Sequence, residues 1–222
     1  MTKTIQVKKY EDSYFYKAFD VIPEELLSEL YGSAVHWLET TRKEITDEVY
    51  PPEASGQLLA FEEFVSSDLW TKFYAEIKRH IAKYCSVTGI DLSTIKVHSS
   101  WITRIADIEF PGKHTKEDLR KRLKQHNLFG NMHSHKENTI GMVYYLKNPD
   151  PKYGTIVKLT DKKIFQNDGE ENSLMIFNPQ LYHTAVYPTI EVAKDYPRIT
   201  IVVDCISTDT PNKIQEQFTL NS

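Results

Sequence analysis

The chain has 222 residues, enough for one sizeable core, and its 40% hydrophobic and 12% aromatic content supplies side chains to fill it. A formal net charge of −4 argues against a general nucleic-acid binder, which carries a basic excess, and the two cysteines, Cys85 and Cys205, read as buried free thiols rather than a disulfide framework. No apolar run reaches the length of a membrane span and the first residues lack the apolar stretch of a signal peptide, so a soluble cytoplasmic protein is expected, its oligomeric state open.

An alternating run at residues 4–9 predicts an opening strand. Pro23 then suits a first helical turn, and Leu26, Leu27, Leu30, Val35 and Leu38 continue at helical spacing. Residues 41–56, charged and carrying Pro51, Pro52 and Gly56, read as a loop. Ser66, Ser67 and Asp68 can cap a second helix with an apolar stripe at Leu69, Phe73, Ile77, Ile81 and Tyr84; Gly89 and Asp91 end it. From Ile95 the period drops to two, through Val97, Ser99 and Trp101, as in a strand.

A basic insertion follows at 107–127. It holds Lys113, Lys116, Arg120, Lys121, Arg122 and Lys124 against Glu117 and Asp118, and Thr115 begins a short helix by the capping pattern. It reads as a solvated helix face or as a rim that docks an acidic substrate. The remainder is strand-like at 131–135, 142–147, 155–160, 173–178, 183–187 and 198–206, with a turn at Asn148–Pro151. Two helices followed by about eight short strands predict a mainly β fold, a helix-buttressed sandwich or barrel. A single domain is expected: residues 1–94 support a core at 95–206, and 207–222 form a polar tail.

The chemistry concentrates in that core. His133 and His135 sit two apart, which on a strand points both to one face and lets them reach one ion together. His135 and Glu137 satisfy the same spacing, and His183 follows the turn Phe177–Tyr182 as a distal ligand. The set is either three neutral imidazoles or two histidines and a carboxylate, the usual face for Fe(II) that activates oxygen. His36, His80, His98, His114 and His126 read as surface or hydrogen-bonded structural residues. Arg198 and Thr200 share one face of an apolar strand, where a buried guanidinium needs an anionic partner and matches a carboxylate. The far carboxylate of 2-oxoglutarate suits that pair. Tyr144 or Tyr145 can add a phenol, or either can be packing.

These residues resemble the 2-oxoglutarate/Fe(II)-dependent oxygenases, and within them a bacterial and phage subgroup with a His-x-His-Pro motif and a prolyl-hydroxylase-like core. Trp101 resembles its early tryptophan, His133-Ser134-His135 its histidine pair, and Gly141–Leu146 its Val-Tyr-Tyr element. Gly154, Phe177–His183 and Arg198-Ile199-Thr200 match its later glycine, distal histidine and arginine strand. The likeness spans about residues 95–206. Lys136 replaces the proline, Gly141-Met142 stands for Ser-Gly, the insertion has no counterpart, and His135 stands where the wider superfamily has Asp or Glu.

The resemblance implies a double-stranded β-helix (jelly-roll, cupin-like) core buttressed by two helices. It implies Fe(II) held by His133, His135 and His183, with Glu137 as alternative third ligand. Arg198, Thr200 and Tyr145 would hold 2-oxoglutarate, with O2 as oxidant. The expected activity is hydroxylation of a protein side chain, an amino acid or a small metabolite. A cupin-like metal enzyme without 2-oxoglutarate and a non-catalytic binding module on a degenerate fold are the competing functions. The Arg198-x-Thr200 strand favours the first, because a cupin has no need of it there.

Overall fold

The computed structural model of the chain describes residues 5–10, 13–44, 53–56, 67–105, 132–160, 163–186, 188, 192 and 196–208. The basic insertion at 107–127, residues 45–52 and 57–66, and the tail beyond 208 lie outside the described residues. The order is β1 (Gln6–Tyr10), β2 (Ser13–Ala18), α1 (Glu24–Glu44), β3 (Glu53–Gly56), α2 (Ser67–Thr88), a short 3-10 turn (Leu92–Thr94) and β4 (Ile95–Ile105). Then come β5 (Ile140–Lys147), β6 (Thr155–Thr160), β7 (Lys163–Asn167), β8 (Ser173–Phe177), β9 (His183–Ala185) and β10 (Arg198–Ser207).

The strands form two antiparallel sheets, one of seven strands in the order β1-β2-β8-β5-β10-β4-β3 and one of three in the order β7-β6-β9. Period-two alternation assigns the two faces of the large sheet to different neighbours. On one face Met142, Tyr144, Leu146, Leu174, Ile176, Ile199, Ile201 and Val203 pack with Leu26 and Leu30 of α1 and Phe73, Ile77 and Ile81 of α2. On the other, Phe15, Val143, Tyr145, Met175 and Phe177 pack with Val157 of the small sheet. Each aliphatic or aromatic side chain so buried stabilises the fold by roughly 1.5–3 kcal/mol before entropy is counted. This is the mainly β, helix-buttressed fold that the pattern predicts and the jelly roll that the resemblance implies. Cys85 and Cys205 are free and buried in the helix-side core, where burial pushes the Cys205 thiol up to about 12.

Four expectations are corrected. Helix α1 runs through Glu44, so residues 41–44, expected as loop, are helical: Thr41, Arg42, Lys43 and Glu44 include no helix breaker. Within the same expected loop, β3 adds to the edge of β4, whose length offers Thr103 and Ile105 as pairing partners. The strand expected at 131–135 reduces to a single bridge, His133 with His183, after which the chain turns. Strands β2 and β7 have no counterpart among the predicted elements. They are held in ladders with β1 and β8 and with β6, and aromatic contacts of Phe15 with Phe165 (ring centroids 4.2 Å apart) and of Phe165 with Tyr10 pack one against the other, which a local pattern does not reveal.

Candidate active site

His133 and His183 exchange both backbone hydrogen bonds, His133 N–H to His183 O at 3.1 Å and His183 N–H to His133 O at 2.8 Å. His135 arrives differently: its N–H donates to Pro179 O at 2.9 Å, in the turn that leads into β9. The near pair therefore does not share one strand face; a turn brings His135 round. One nitrogen from each of the three imidazoles lies within 4.8 Å of the others. Ring centroids are 4.6 Å apart for His133 and His183 and 5.0 Å for each of the other pairs. Glu137 is exposed and lies outside this group.

Two of the rings have their tautomer set by a fixed acceptor. His183 donates from Nδ1 to Leu181 O at 2.8 Å, and His135 donates from Nδ1 to the Asp204 carboxylate. In a neutral ring each such bond leaves the Nε2 lone pair free, the form that binds a metal. Burial pushes the His183 imidazole down to about 4, against the Leu181 carbonyl that favours its charged form, and the neighbouring His133 and His135 push the same way as burial. His183 is therefore neutral near neutral pH. A neutral His183 beside His133 and His135, two of the three rings oriented by fixed acceptors, fits a divalent transition metal.

On β10 the side chains at 198, 200, 202 and 204 face away from the helices, since Ile199, Ile201, Val203 and Cys205 fill the helix-side core. Arg198, 2% exposed, donates from Nε to Tyr153 O at 2.8 Å and from Nη2 to Gly154 O at 3.2 Å. Its third nitrogen lies 3.5 Å from Thr200 Oγ1, and its Cζ lies 5.5 Å from the Tyr145 ring centre. Register places Tyr145 of β5 and Thr103 of β4 on either side of Thr200, and the two threonine hydroxyls bond at 2.6 Å. The Tyr145 hydroxyl bonds Thr155 Oγ1 at 2.7 Å and accepts from Asn167 Nδ2 at 3.2 Å. Burial raises its pKa, opposed by the Arg198 charge, so it stays a neutral phenol able to donate. Tyr144, the alternative, points to the helices and donates to Asn172 Oδ1 at 2.9 Å.

Glycine at 154 is a steric requirement: a Cβ there would lie 1.7 Å from Asn167 O, so this turn closes over Arg198 only without a side chain. Sequence reasoning did not single out Asp204, Asn138, Thr155 or Asn167. Asp204 had one available signal, its i+6 position from Arg198 on an apolar strand. Thr155 and Asn167 had none, because their roles depend on the small sheet closing over the large one. Trp101 lies with its ring centre 5.5 Å from that of His135.

No family model matches the chain, and no curated protein matches it. Solved structures do. A prolyl hydroxylase from Trichoplax adhaerens, in complex with a hypoxia inducible factor peptide fragment, aligns with TM-score 0.55 and 10% identity, covering 94% of this chain and 87% of that one. A full-length Neurospora crassa protein in complex with alpha-KG aligns at 0.52 and 13%, over 87% and 74%. An oxidoreductase of the 2OG-Fe(II) oxygenase family from Burkholderia pseudomallei aligns at 0.52 and 10%, over 88% and 84%. The chain thus has the fold of the 2-oxoglutarate/Fe(II)-dependent oxygenases.

Proposed function

We propose that the chain is an Fe(II)- and 2-oxoglutarate-dependent dioxygenase, with His133, His135 and His183 as metal ligands and Arg198, Thr200 and Tyr145 holding the co-substrate. The observation that carries this reading is the nearness of three imidazole nitrogens, with a buried arginine on the sheet face that Asp204 shares with it. When bound, ferrous iron and 2-oxoglutarate supply an oxidant from O2, with decarboxylation of the acid to succinate.

The chain's own residues do the rest. Arg198, tethered through Nε and Nη2 to the Tyr153–Gly154 turn, is held in one rotamer, so little side-chain freedom is lost when a carboxylate arrives. The Thr200 and Tyr145 hydroxyls lie beside it as neutral donors. Asn167 donates to the Tyr145 oxygen, which leaves the phenolic proton to be given elsewhere. Val143, Phe177 and Val157 on the inter-sheet face keep the neighbourhood apolar and limit water. The primary substrate is a protein side chain, an amino acid or a small metabolite, and hydroxylation is the proposed outcome.

Two measurements test this. Under anaerobic conditions Fe(II) and 2-oxoglutarate added together give a weak visible charge-transfer band, lost in His183→Ala. With O2, succinate forms from 2-oxoglutarate in the wild type and not in that variant. A protein that binds the metal but gives neither band nor succinate is instead the cupin-like enzyme.

A further inference from the structure

We propose that Asp204 is a positioning residue for the metal: acting through His135, it gives the centre the negative charge and the fixed ligand direction that three neutral imidazoles lack. This rests on the metal site proposed above.

Asp204 is 2% exposed, on the face of β10 that also carries Arg198 and Thr200. A carboxylate in that interior is costly unless its partners compensate it. Its Oδ2 accepts from His135 Nδ1 and from Asn138 Nδ2, the latter at 2.6 Å. Its Oδ1 has no hydrogen-bond partner among the described residues. A buried acid with one oxygen unbonded adds little to stability, yet its bonded oxygen and the neighbouring backbone are directed at His135. A Cβ at residue 141 would lie 2.8 Å from Pro179 Cβ, so Gly141 leaves room for Pro179, with Asp204 Oδ1 at contact distance, 3.4 Å, beside it. Pro179 in turn holds the His135 backbone, and Asn138 N–H donates to His135 O at 3.1 Å. Carboxylate, proline carbonyl and asparagine all converge on one residue, the imidazole standing where the wider oxygenase pattern has an acid.

The charge arithmetic gives the reason. Two neutral histidines and a ligating carboxylate leave a divalent ion at a net +1, whereas three neutral histidines leave it at +2. One carboxylate bonded to the far side of a ligand imidazole restores +1 for the cluster, one residue farther out. A hydrogen-bonded carboxylate also raises the basicity of the ligating nitrogen and fixes the plane of the ring. Asp204 and His135 together thus do the work of one ligating acid.

The test is a calorimetric titration of the full chain with Co(II), a redox-stable probe, under nitrogen. Wild type, Asp204→Asn, His135→Ala and the double variant form a cycle. Asparagine keeps the size of the side chain and an acceptor for His135 Nδ1 but removes the charge. The expected result is a 10- to 100-fold weaker Co(II) affinity for Asp204→Asn. In the His135→Ala background the same substitution should change affinity less than about two-fold, because the path to the metal is gone. Unchanged affinity in Asp204→Asn, or an equal loss in both backgrounds, overturns the proposal. A wild type that does not take up Co(II) overturns the metal-site reading with it; a wild type that binds while Asp204→Asn binds as well overturns this inference alone. Should Asp204→Asn not fold, proton NMR of the Co(II) wild type decides. A His135 Nδ1–H protected from solvent exchange supports the role, and one that exchanges as a free imidazole rejects it.

Discussion

The two faces of the large sheet are built by the same strands and do opposite things. Toward α1 and α2, β10 presents Ile199, Ile201, Val203 and Cys205, and β5 presents Met142, Tyr144 and Leu146, a continuous apolar layer. Toward the small sheet, the alternating positions are Arg198, Thr200, Val202 and Asp204 on β10 and Val143 and Tyr145 on β5. Neighbouring residues thus differ in role because period-two geometry separates them by the thickness of a sheet. The helix face contributes the stability against which the polar face can bury a guanidinium and a carboxylate.

The difference can be broken from the polar side first. Arg198→Ala should weaken 2-oxoglutarate binding on the order of 10²- to 10³-fold, since charge-assisted hydrogen bonds contribute about 1.5–3 kcal/mol each. Binding of the isolated acid to the metal-loaded protein measures it, and unchanged affinity would remove Arg198 from the co-substrate site. From the apolar side, Ile201→Ala, one position from Thr200, should cost about 2–5 kcal/mol in denaturant unfolding while 2-oxoglutarate affinity per folded molecule stays the same. A parallel loss of affinity would mean that the two faces are not separable.

The helix side also carries a pH signature of its own. His80 of α2, bonded through Nδ1 to the Tyr16 hydroxyl at 2.7 Å, is pushed down to about 4 by burial first and then by Lys83 and Arg79. The unfolded chain takes up this proton near 6.5, before the folded one does. Its contribution is therefore complete above pH 6.5 and is lost as pH falls from there toward 4, on the order of 2–3 kcal/mol in all. Unfolding free energies of the metal-free protein across that window measure the slope, and His80→Gln should flatten it.

The smallest effect is the sharpest comparison. Tyr144→Phe and Tyr145→Phe each remove one hydroxyl, at about 1 kcal/mol of stability. Only Tyr145→Phe should raise the KM for 2-oxoglutarate, several-fold. Equal KM values in the two variants would contradict the assignment of faces.

Much of the fold was legible because the helices carry long amphipathic stripes and the later strands alternate. The stripe Leu69, Phe73, Ile77 and Ile81 is buried as the spacing requires. The helix end at Glu44 was not legible because charged residues without a helix breaker favour neither state locally, and β3, beside Pro51, Pro52 and Gly56, forms only by pairing with the distant edge of β4. Strands β2 and β7 escaped for a different reason: beside their ladders they are supported by aromatic contact, Phe15 with Phe165, between segments far apart in the chain. At the site, the residue types His133, His135, His183, Arg198 and Thr200 stand out in the chain, but His135 reaches the other two by a turn, not by the strand geometry that its spacing suggests.

By itself the chain determined which polar side chains it offers, since imidazoles, a guanidinium on an apolar strand and a phenol pair are properties of residue type and spacing. It also determined the alternation that sends Arg198, Thr200 and Asp204 to one side. Only the tertiary structure put Tyr144 against the helices and Tyr145 beside Arg198, left Glu137 exposed, and set Asp204 behind His135. Those outcomes depend on which sheet face meets the helices and where a turn ends, and such long-range contacts leave no periodic trace in the sequence.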